Sequence, residues 1–565
     1  MPFAKMFQNA QGLAMMASDF LRLKQAIWVV MIALGLLVMV GHQNLAPIDR
    51  DEARFSQASK QMVASKDFIT IKFQDEYRAK KPAGIYWLQA ASAVVFGTDN
   101  IANYRLPSLA GYLGSFALLF GFARMMNLRG WGGIAPLMAG LLLASNFIVF
   151  AEAHLAKTDS VLLALIIWQQ MSLFDIYRRR YQGQAGAAYI QFWVAMGLAI
   201  LVKGPIAPLV ASATIILITA FDRNLLLASH LRVMRGLLIL AILVAPWAIS
   251  VQIATQGAFL DIAIKADFLA KVQSAQESHG APFGTYLLLL PLLAFPASLF
   301  AGQLALIGKQ VFRRDKGRFV IAWVVGYWLM IELVPTKLPH YVLPALPALW
   351  LLVLMCFTYP EAPAKWRVRI SYLITVIAAI SGAALALVLG VLALRYGGIG
   401  SGAAFFFSLL VVILTGGLLA LTYRWLRAPH SALMAAILGL GALIHMVIIA
   451  GVISHTHRIH PSTALSAEIA AMKSRPAVIM AAGYHEPSLV FLLGRDLLLV
   501  EETEAALLLA EASDGLAIIE ARKKKRFLET VSKLSLEVEE VARIDGFNIS
   551  KGDDITLSLY RRPEK

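Results

Sequence analysis

The sequence predicts an α-helical polytopic membrane protein of about thirteen spans with a small soluble α/β segment at its end, and three observations predict it. The 565 residues are 59% hydrophobic and only 15% charged, where soluble domains run nearer roughly 45–50% and 25%. Apolar runs long enough to cross a hydrocarbon core of about 30 Å recur along most of the chain. Between them, loops rich in arginine and lysine alternate with loops that carry about one basic residue each.

The runs lie near 25–41, 103–123, 131–150, 158–174, 188–202 and 204–221, then 236–254, 284–308, 319–335, 339–358, 370–394, 402–423 and 431–454. With the N-terminus cytoplasmic, alternate loops hold Arg124 and Arg129, Arg178 to Arg180, Arg223 with Arg232 and Arg235, Arg313 to Arg318, Lys365 to Arg369, and Arg424 with Arg427. That alternation obeys the positive-inside rule and would break if a span were miscounted. An odd count puts the C-terminus outside. Residues 1–24 lack a small-residue cleavage pattern, so the first run reads as a retained span. The net charge of +16 is then explained by cytoplasmic loops rather than by nucleic acid. Cys356 is the single cysteine and lies in an apolar run, which excludes an intramolecular disulfide.

Two regions are too polar to be spans. Residues 42–102 read as an external loop with two amphipathic stretches, about 52–64 and 84–97, suited to the membrane surface. Residues 1–454 form the membrane domain, and 455–565 a separate α/β domain. There, β-like runs (Ala477–Met480, Leu516–Glu520, Ile555–Tyr560) alternate with helical ones (Ser462–Met472, Arg522–Leu534).

The polar residues that a membrane fold does not need collect on the external side. They are Asp49 to Glu52, Lys80-Lys81-Pro82, Glu152 and His154 through Lys157 to Asp159, and Lys203-Gly204-Pro205; then Lys265, Asp267, Lys271 and His279, and Lys337 with His340-Tyr341. Ionisable groups at span ends are costly unless they pair, meet water or bind something. Carboxylates among lysines and histidines suit a reaction that deprotonates an acceptor and releases a phosphate. Each has a plainer reading. Asp51 could cap a helix, Lys80 and Lys81 could be snorkelling anchors, and Asp159 could pair with Lys157 or cap the next span. His154 and His279 could be satisfied interfacial histidines. The cluster His455, His457 and His460 reads as an interfacial loop, Arg522–Arg526 as a solvated helix face, and Gly483–Ser488 as a turn.

In order, the segments Asp51-Glu-Ala-Arg54-Phe, Met62-Val-Ala-Ser-Lys-Asp67-Phe, Lys81-Pro82 leading into Tyr86-Trp87-Leu88, Thr158-Asp159, Lys203-Gly204-Pro205, His279-Gly-Ala-Pro282-Phe283 and Lys337-Leu-Pro339-His-Tyr341-Val-Leu-Pro344 carry a resemblance. Over about residues 45–350 the chain resembles the bacterial aminoarabinose (lipid A) transferases and protein O-mannosyltransferases of the GT-C membrane fold. The resemblance implies a bacterial inner-membrane enzyme whose active site and C-terminal domain face the periplasm. It would move a sugar from a polyprenyl (undecaprenyl) phosphate donor to a lipid or glycan acceptor, or to a protein hydroxyl, amid membrane lipids. Asp51 matches the family's first-loop catalytic aspartate and Asp159 its second acidic position. Lys81, with Lys80, Lys271, Lys337 and Tyr341, stands where the donor phosphate is held; Glu52, Arg54, His154, Lys203, His279 and His340 are candidates for contact with sugar or acceptor.

Two departures bear on cofactors. Lys80 stands where the family commonly has a glutamate that in some members helps hold a metal, and Asp267-Phe268 where a histidine is frequent. Both disfavour a divalent metal and suggest that Lys80 supplies its charge. The implied chemistry is direct, inverting displacement at the anomeric carbon, with Asp51 orienting or deprotonating the acceptor and Asp159 assisting or binding the sugar. A transporter or lipid flippase is the main rival of another class. Such proteins show related halves with binding at the bilayer midplane, whereas this sequence has no internal repeat and its charges gather at one face.

Overall fold

The computed structural model describes residues 25–128, 130, 133–182, 186–262 and 280–563. Each of the thirteen apolar runs is helical over most of its length. Among the described residues, eight helices are long and apolar enough to cross a membrane: Gln25–His42, Ile101–Met125, Asp159–Arg178, Val233–Ala254, Pro339–Thr358, Lys365–Tyr396, Gly398–Arg427 and Ser431–Ile453. Ala135–Ala144 and Phe147–Ala153, bent by 68° at Ser145-Asn146, form a broken ninth. The remaining runs make shorter or more charged helices: Ala188–Lys203, Ile206–Asp222, Thr285–Leu293 with the 3₁₀ segment Ala297–Leu306, and Asp315–Leu333. Gly204, at φ +72, makes the turn between the first two of these, a backbone conformation that a side chain would strain.

The inner helices pack through aromatic side chains with no exposure to speak of, among them Phe116, Phe122, Trp323 and Trp350. Where two helices cross closely, glycine leaves the space. A Cβ on Gly111 would stand 2.6 Å from the backbone of Ser160, and one on Gly84 2.7 Å from the Leu201 carbonyl. Both contacts sit one to two residues from a charged group of the site described below, Asp159 and Lys203. The Lys365–Tyr396 and Gly398–Arg427 helices, by contrast, turn most of their apolar surface outward, as helices facing lipid do.

The loop after the first span carries two helices, Arg50–Ser65 and Gly84–Phe96, around a two-stranded hairpin, β1 (Lys72–Phe73) and β2 (Glu76–Tyr77). Phe55, Ala58 and Met62 repeat at helical spacing and bury one face of the first helix against Ile85, Tyr86 and Ala90 of the second. Lys66, at φ 58, ends that helix in the left-handed conformation.

The chain beyond the last span forms a five-stranded mixed sheet ordered β4-β3-β5-β7-β6. Its strands are β3 (Val478–Ala482), β4 (Leu498–Leu499), β5 (Gly515–Glu520), β6 (Glu539–Asn548) and β7 (Asp553–Arg561). β4, β3 and β5 run parallel, and β7 and β6 pair antiparallel at the other edge. Helices Pro461–Ala470 and Pro487–Leu493 cover one face of the sheet, and Glu502–Glu511 and Ala521–Lys533 the other. The first face docks on the segment between the first two spans and the start of the second. Arg50 Nε meets Glu486 Oε2 at 3.2 Å, Gln74 donates to the carbonyls of Arg495 and Leu497 at 3.0 and 2.7 Å, and Phe491 packs edge-on against Tyr104.

Candidate active site

The site begins at the N-terminus of the Arg50–Ser65 helix. Asp49 is its cap: with extended backbone, its Oδ1 accepts from the N–H groups of Asp51 and Glu52 at 2.8 and 2.9 Å. The capping role weighed above for Asp51 is thus taken by Asp49, which leaves the Asp51 carboxylate free for other partners. Arg78 reaches Asp51 Oδ1 from beyond the hairpin at 3.2 Å while its Nε donates to the buried Tyr86 hydroxyl at 3.1 Å. Arg54 stands 3.7 Å from the same Asp51 oxygen. Crowding by protein would push the Asp51 carboxyl up, but the charges of Arg78, Lys157 and Arg54 outweigh that and hold it down at about 2. Its side chain remains 56% exposed, so it is an ionised, accessible group.

The other wall comes from the break between the bent helix and the Asp159–Arg178 span. Lys157 Nζ lies 3.1 Å from Glu152 Oε1 and 3.5 Å from Asp49 Oδ2, joining the two walls. Burial alone would lower the Lys157 ammonium, but Glu152, Asp49 and Asp159 raise it well above the ordinary lysine value. Asp159 opens its helix, where a carboxylate is favoured by the helix dipole, and meets Lys203 Nζ at 2.5 Å. His340, on the 3₁₀ turn Pro339–Ala345, faces both acids, with Nδ1 3.9 Å from Glu152 and Nε2 4.0 Å from Asp159. Four carboxylates (Asp49, Asp51, Glu152, Asp159) thus face four cations (Arg54, Arg78, Lys157, Lys203). Lys80 and Lys81 follow Arg78 on the same turn. Lys80 is exposed, and Lys81 is half-buried, its Nζ donating to the Lys80 carbonyl at 2.9 Å.

The structure therefore brings together Asp51, Asp159, Arg54, Lys203 and His340. Tyr341 adjoins His340 edge-on, and its carbonyl accepts from Tyr327. Three of the residues named from the sequence do something else. Glu52, expected near substrate, has a fully buried side chain paired with Arg105 Nε at 2.7 Å and Nη2 at 3.1 Å, and it also accepts from the Ala156 N–H at 2.9 Å. Arg105 donates further to the carbonyls of His42 and Leu45, both at 2.7 Å. The pair is an internal tie between the first loop and two spans. His154 is buried against His42 and Phe150, its Nδ1 bonded to the Phe150 carbonyl at 2.9 Å. Lys337, expected on the donor phosphate, is buried and gives its three protons to the carbonyls of Ile331, Glu332 and Val334 at 3.2, 2.7 and 2.8 Å. An ammonium has only three donors, so it caps the Asp315–Leu333 helix with none left for a ligand. Lys271 and His279, like Lys265 and Asp267, lie outside the described residues.

Arg78 was not singled out in the sequence; its one signal is its place two residues before Lys80-Lys81. Among the described residues no three histidine, cysteine or carboxylate side chains converge as a metal would require. Asp51, Glu152 and Asp159 each face a cation instead, so the described carboxylates do not form a metal donor set.

The family described as dolichyl-phosphate-mannose-protein mannosyltransferase matches residues 80–249. An undecaprenyl phosphate-alpha-4-amino-4-deoxy-L-arabinose arabinosyl transferase of Proteus mirabilis (strain HI4320) is 26% identical over 308 residues, 54% of either chain. Its counterpart from Aeromonas hydrophila is 27% identical over 321 residues, 55% of this chain and 57% of its own. The chain thus matches little more than half the length of these relatives. Across almost its whole length it superposes on the crystal structure of ArnT from Cupriavidus metallidurans bound to undecaprenyl phosphate. There the TM-score is 0.71 at 18% identity, covering 94% of this chain and 98% of that one.

Proposed function

We propose that the chain, similar in sequence to polyprenyl-phosphate-dependent sugar transferases and in fold to one of them, is a GT-C glycosyltransferase that transfers a sugar from a polyprenyl-phosphate donor to an envelope acceptor, lipid A or another lipid or glycan. The observation that carries this reading is the ionised, accessible Asp51 set in a cluster of paired carboxylates and cations, on the wall that also carries the Lys80-Lys81 turn. In this reading residues 1–454 cross the inner membrane thirteen times, and the cluster and the α/β domain at 455–565 face the periplasm.

The donor's phosphate approaches Lys80 and Lys81, and Tyr341 donates a hydrogen bond to it. As the bond from the anomeric carbon to the phosphate oxygen breaks, charge grows on that oxygen and the lysines balance it; one preorganised donor of this kind is worth about 2.7–4 kcal/mol. Asp159, already paired with Lys203, holds sugar hydroxyls with His340. Asp51 faces the acceptor. A carboxylate held at about 2 is a weak base for a hydroxyl, since a general base works best near the operating pH. That favours an acceptor that is itself an anion, such as a phosphate, with Asp51 and Arg54 orienting it. Attack from the face opposite the phosphate inverts the anomeric centre. The family match to protein mannosyltransferases keeps a protein hydroxyl as the alternative acceptor.

The test is glycosyl transfer by purified protein with a panel of polyprenyl-phosphate sugars, offering a phosphorylated lipid and a serine peptide as acceptors. Lys81→Ala should slow transfer about a hundredfold, and Asp51→Asn should abolish it with donor affinity retained. No transfer from any donor, with both variants behaving as wild type, would refute the assignment.

A further inference from the structure

A cavity of about 720 Å³ opens in the C-terminal sheet, away from the charged cluster. Its position follows from topology. After β3 the chain leaves by Pro487–Leu493 toward β4, and after β5 it leaves by Ala521–Lys533 toward β6. These two connections lie on opposite faces of the sheet. The carboxyl ends of β3 and β5 therefore part, which is where parallel sheets of this kind form a ligand crevice. The lining residues come from those ends: Gly483 directly follows β3, and Glu520 is the last residue of β5. Gly483 has φ +87, and a Cβ on it would stand 2.8 Å from Glu520, so the floor of the crevice has no room for a side chain there.

The electrostatics are unusual for a helix start. The Ala521–Lys533 helix places Arg522, Lys523, Lys524, Lys525 and Arg526 in succession at its N-terminal end, where the helix dipole disfavours cations. Part of that charge is matched. Lys523 reaches Glu501 and Glu502 at 2.9 Å each, Arg526 reaches Glu502 at 3.5 Å, Arg522 holds Glu520 at 2.6 Å, and Lys524 pairs with Glu540. Arg522 also lies 3.6 Å from Asp553, so the lining cations left without a carboxylate within 4 Å among the described residues are Lys525 and, on the β6–β7 turn, Lys551. Two unmatched lysines thus line a crevice at a switch point of the sheet, beside a helix N-terminus and above a glycine floor, and helix N-termini with lysines suit phosphate.

We propose that this crevice binds a phosphate-bearing group from the aqueous phase. The volume fits a phosphorylated sugar rather than a bare ion. The opposite face of the sheet is the one docked on the segment between the first two spans and the start of the second, through Glu486 and Phe491, so the crevice opens away from the protein's own bilayer. The proposal does not depend on the transferase reading.

The experiment uses the full chain in phosphatidylcholine nanodiscs, with radiolabelled inorganic pyrophosphate in equilibrium dialysis. Saturable binding that weakens with salt is expected. It should fall tenfold or more in Lys525→Glu/Lys551→Glu and be unchanged in Lys533→Glu, which makes the same kind of charge change on the same helix outside the crevice. Flotation with vesicles containing phosphatidic acid forms a second arm. Capture through the same two lysines without pyrophosphate binding would overturn the aqueous source and assign the phosphate to a lipid. Absence of both, or equal loss in the control variant, would overturn the site itself.

Discussion

Glu52→Gln separates a structural carboxylate from Asp51, the one proposed to act in transfer, on the same turn of helix. Glu52 has no exposed side-chain surface and lies 2.7 and 3.1 Å from two nitrogens of Arg105. Glutamine keeps the shape but turns an NH₂ toward a guanidinium that has only protons to offer. Arg105 would then stay buried with its charge uncompensated, a change that costs about 3–5 kcal/mol in comparable buried pairs. In a chain this long each kcal/mol moves the unfolding midpoint by no more than about 2–4 °C, so a fall on the order of 5–10 °C is expected. Cys356 supplies the reporter. It is the chain's one cysteine and is buried, so a thiol-reactive dye will label it as the fold opens. Transfer per folded molecule, measured well below the midpoint, should stay within a few-fold of wild type. An unchanged midpoint with transfer abolished would refute the reasoning and return Glu52 to the substrate. Removing both charges with Glu52→Gln/Arg105→Met should restore part of the loss, because it leaves no orphan ion.

Lys337→Met should lower the thermal midpoint while leaving the apparent affinity for donor within about threefold, because all three ammonium protons already serve helix carbonyls; a donor KM raised tenfold or more would contradict this. Asp51 is depressed to about 2, so its contribution to stability is complete above the unfolded value near 3.8 and is lost as pH falls through about 2. Between pH 5 and 8 the transfer rate should accordingly show no acid limb due to this group, and a limb near pH 6 that vanishes in Asp51→Asn would show the opposite. Gly111→Ala forces the Ile101–Met125 helix off Ser160, 2.6 Å from the new methyl, and should impair transfer at least tenfold in protein that still inserts. Wild-type rates in that variant would mean that the neighbouring Asp159 tolerates the displacement.

The first-loop aspartate, the Lys80-Lys81 turn and the acid at the start of a span were legible because each breaks an apolar or helical pattern where a lone charge is costly. The two helices of the first loop were legible as amphipathic stretches, the first burying Phe55, Ala58 and Met62 at helical spacing. What the sequence could not display are partnerships. Glu52 and Arg105 lie 53 residues apart, and nothing local says that the arginine will come to the glutamate rather than to water. Asp49 and Asp51 are equally good capping residues by type, and only the backbone register chooses Asp49. Lys337 looked available because its helix end, and the carbonyls exposed there, were not visible in the chain. The short helices at Ala188–Lys203 and Ile206–Asp222 were foreshadowed by Lys203-Gly204-Pro205, since glycine at positive φ and proline both interrupt helices.

The order in which the tie around Arg105 is assembled has a consequence for biosynthesis. Every group in it, from the His42 carbonyl through Glu52 and Arg105 to the Ala156 amide, lies within the first 156 residues. A chain entering the membrane from its N-terminus can therefore lock the wall that holds Asp51 while most of its helices are still unmade. Lys203 and His340 are synthesised later and reach Asp159 only afterwards. The nascent protein would thus carry one finished half of its cavity and one acid awaiting its counter-ion, and it would become competent only when the 3₁₀ turn at Pro339 closes over both.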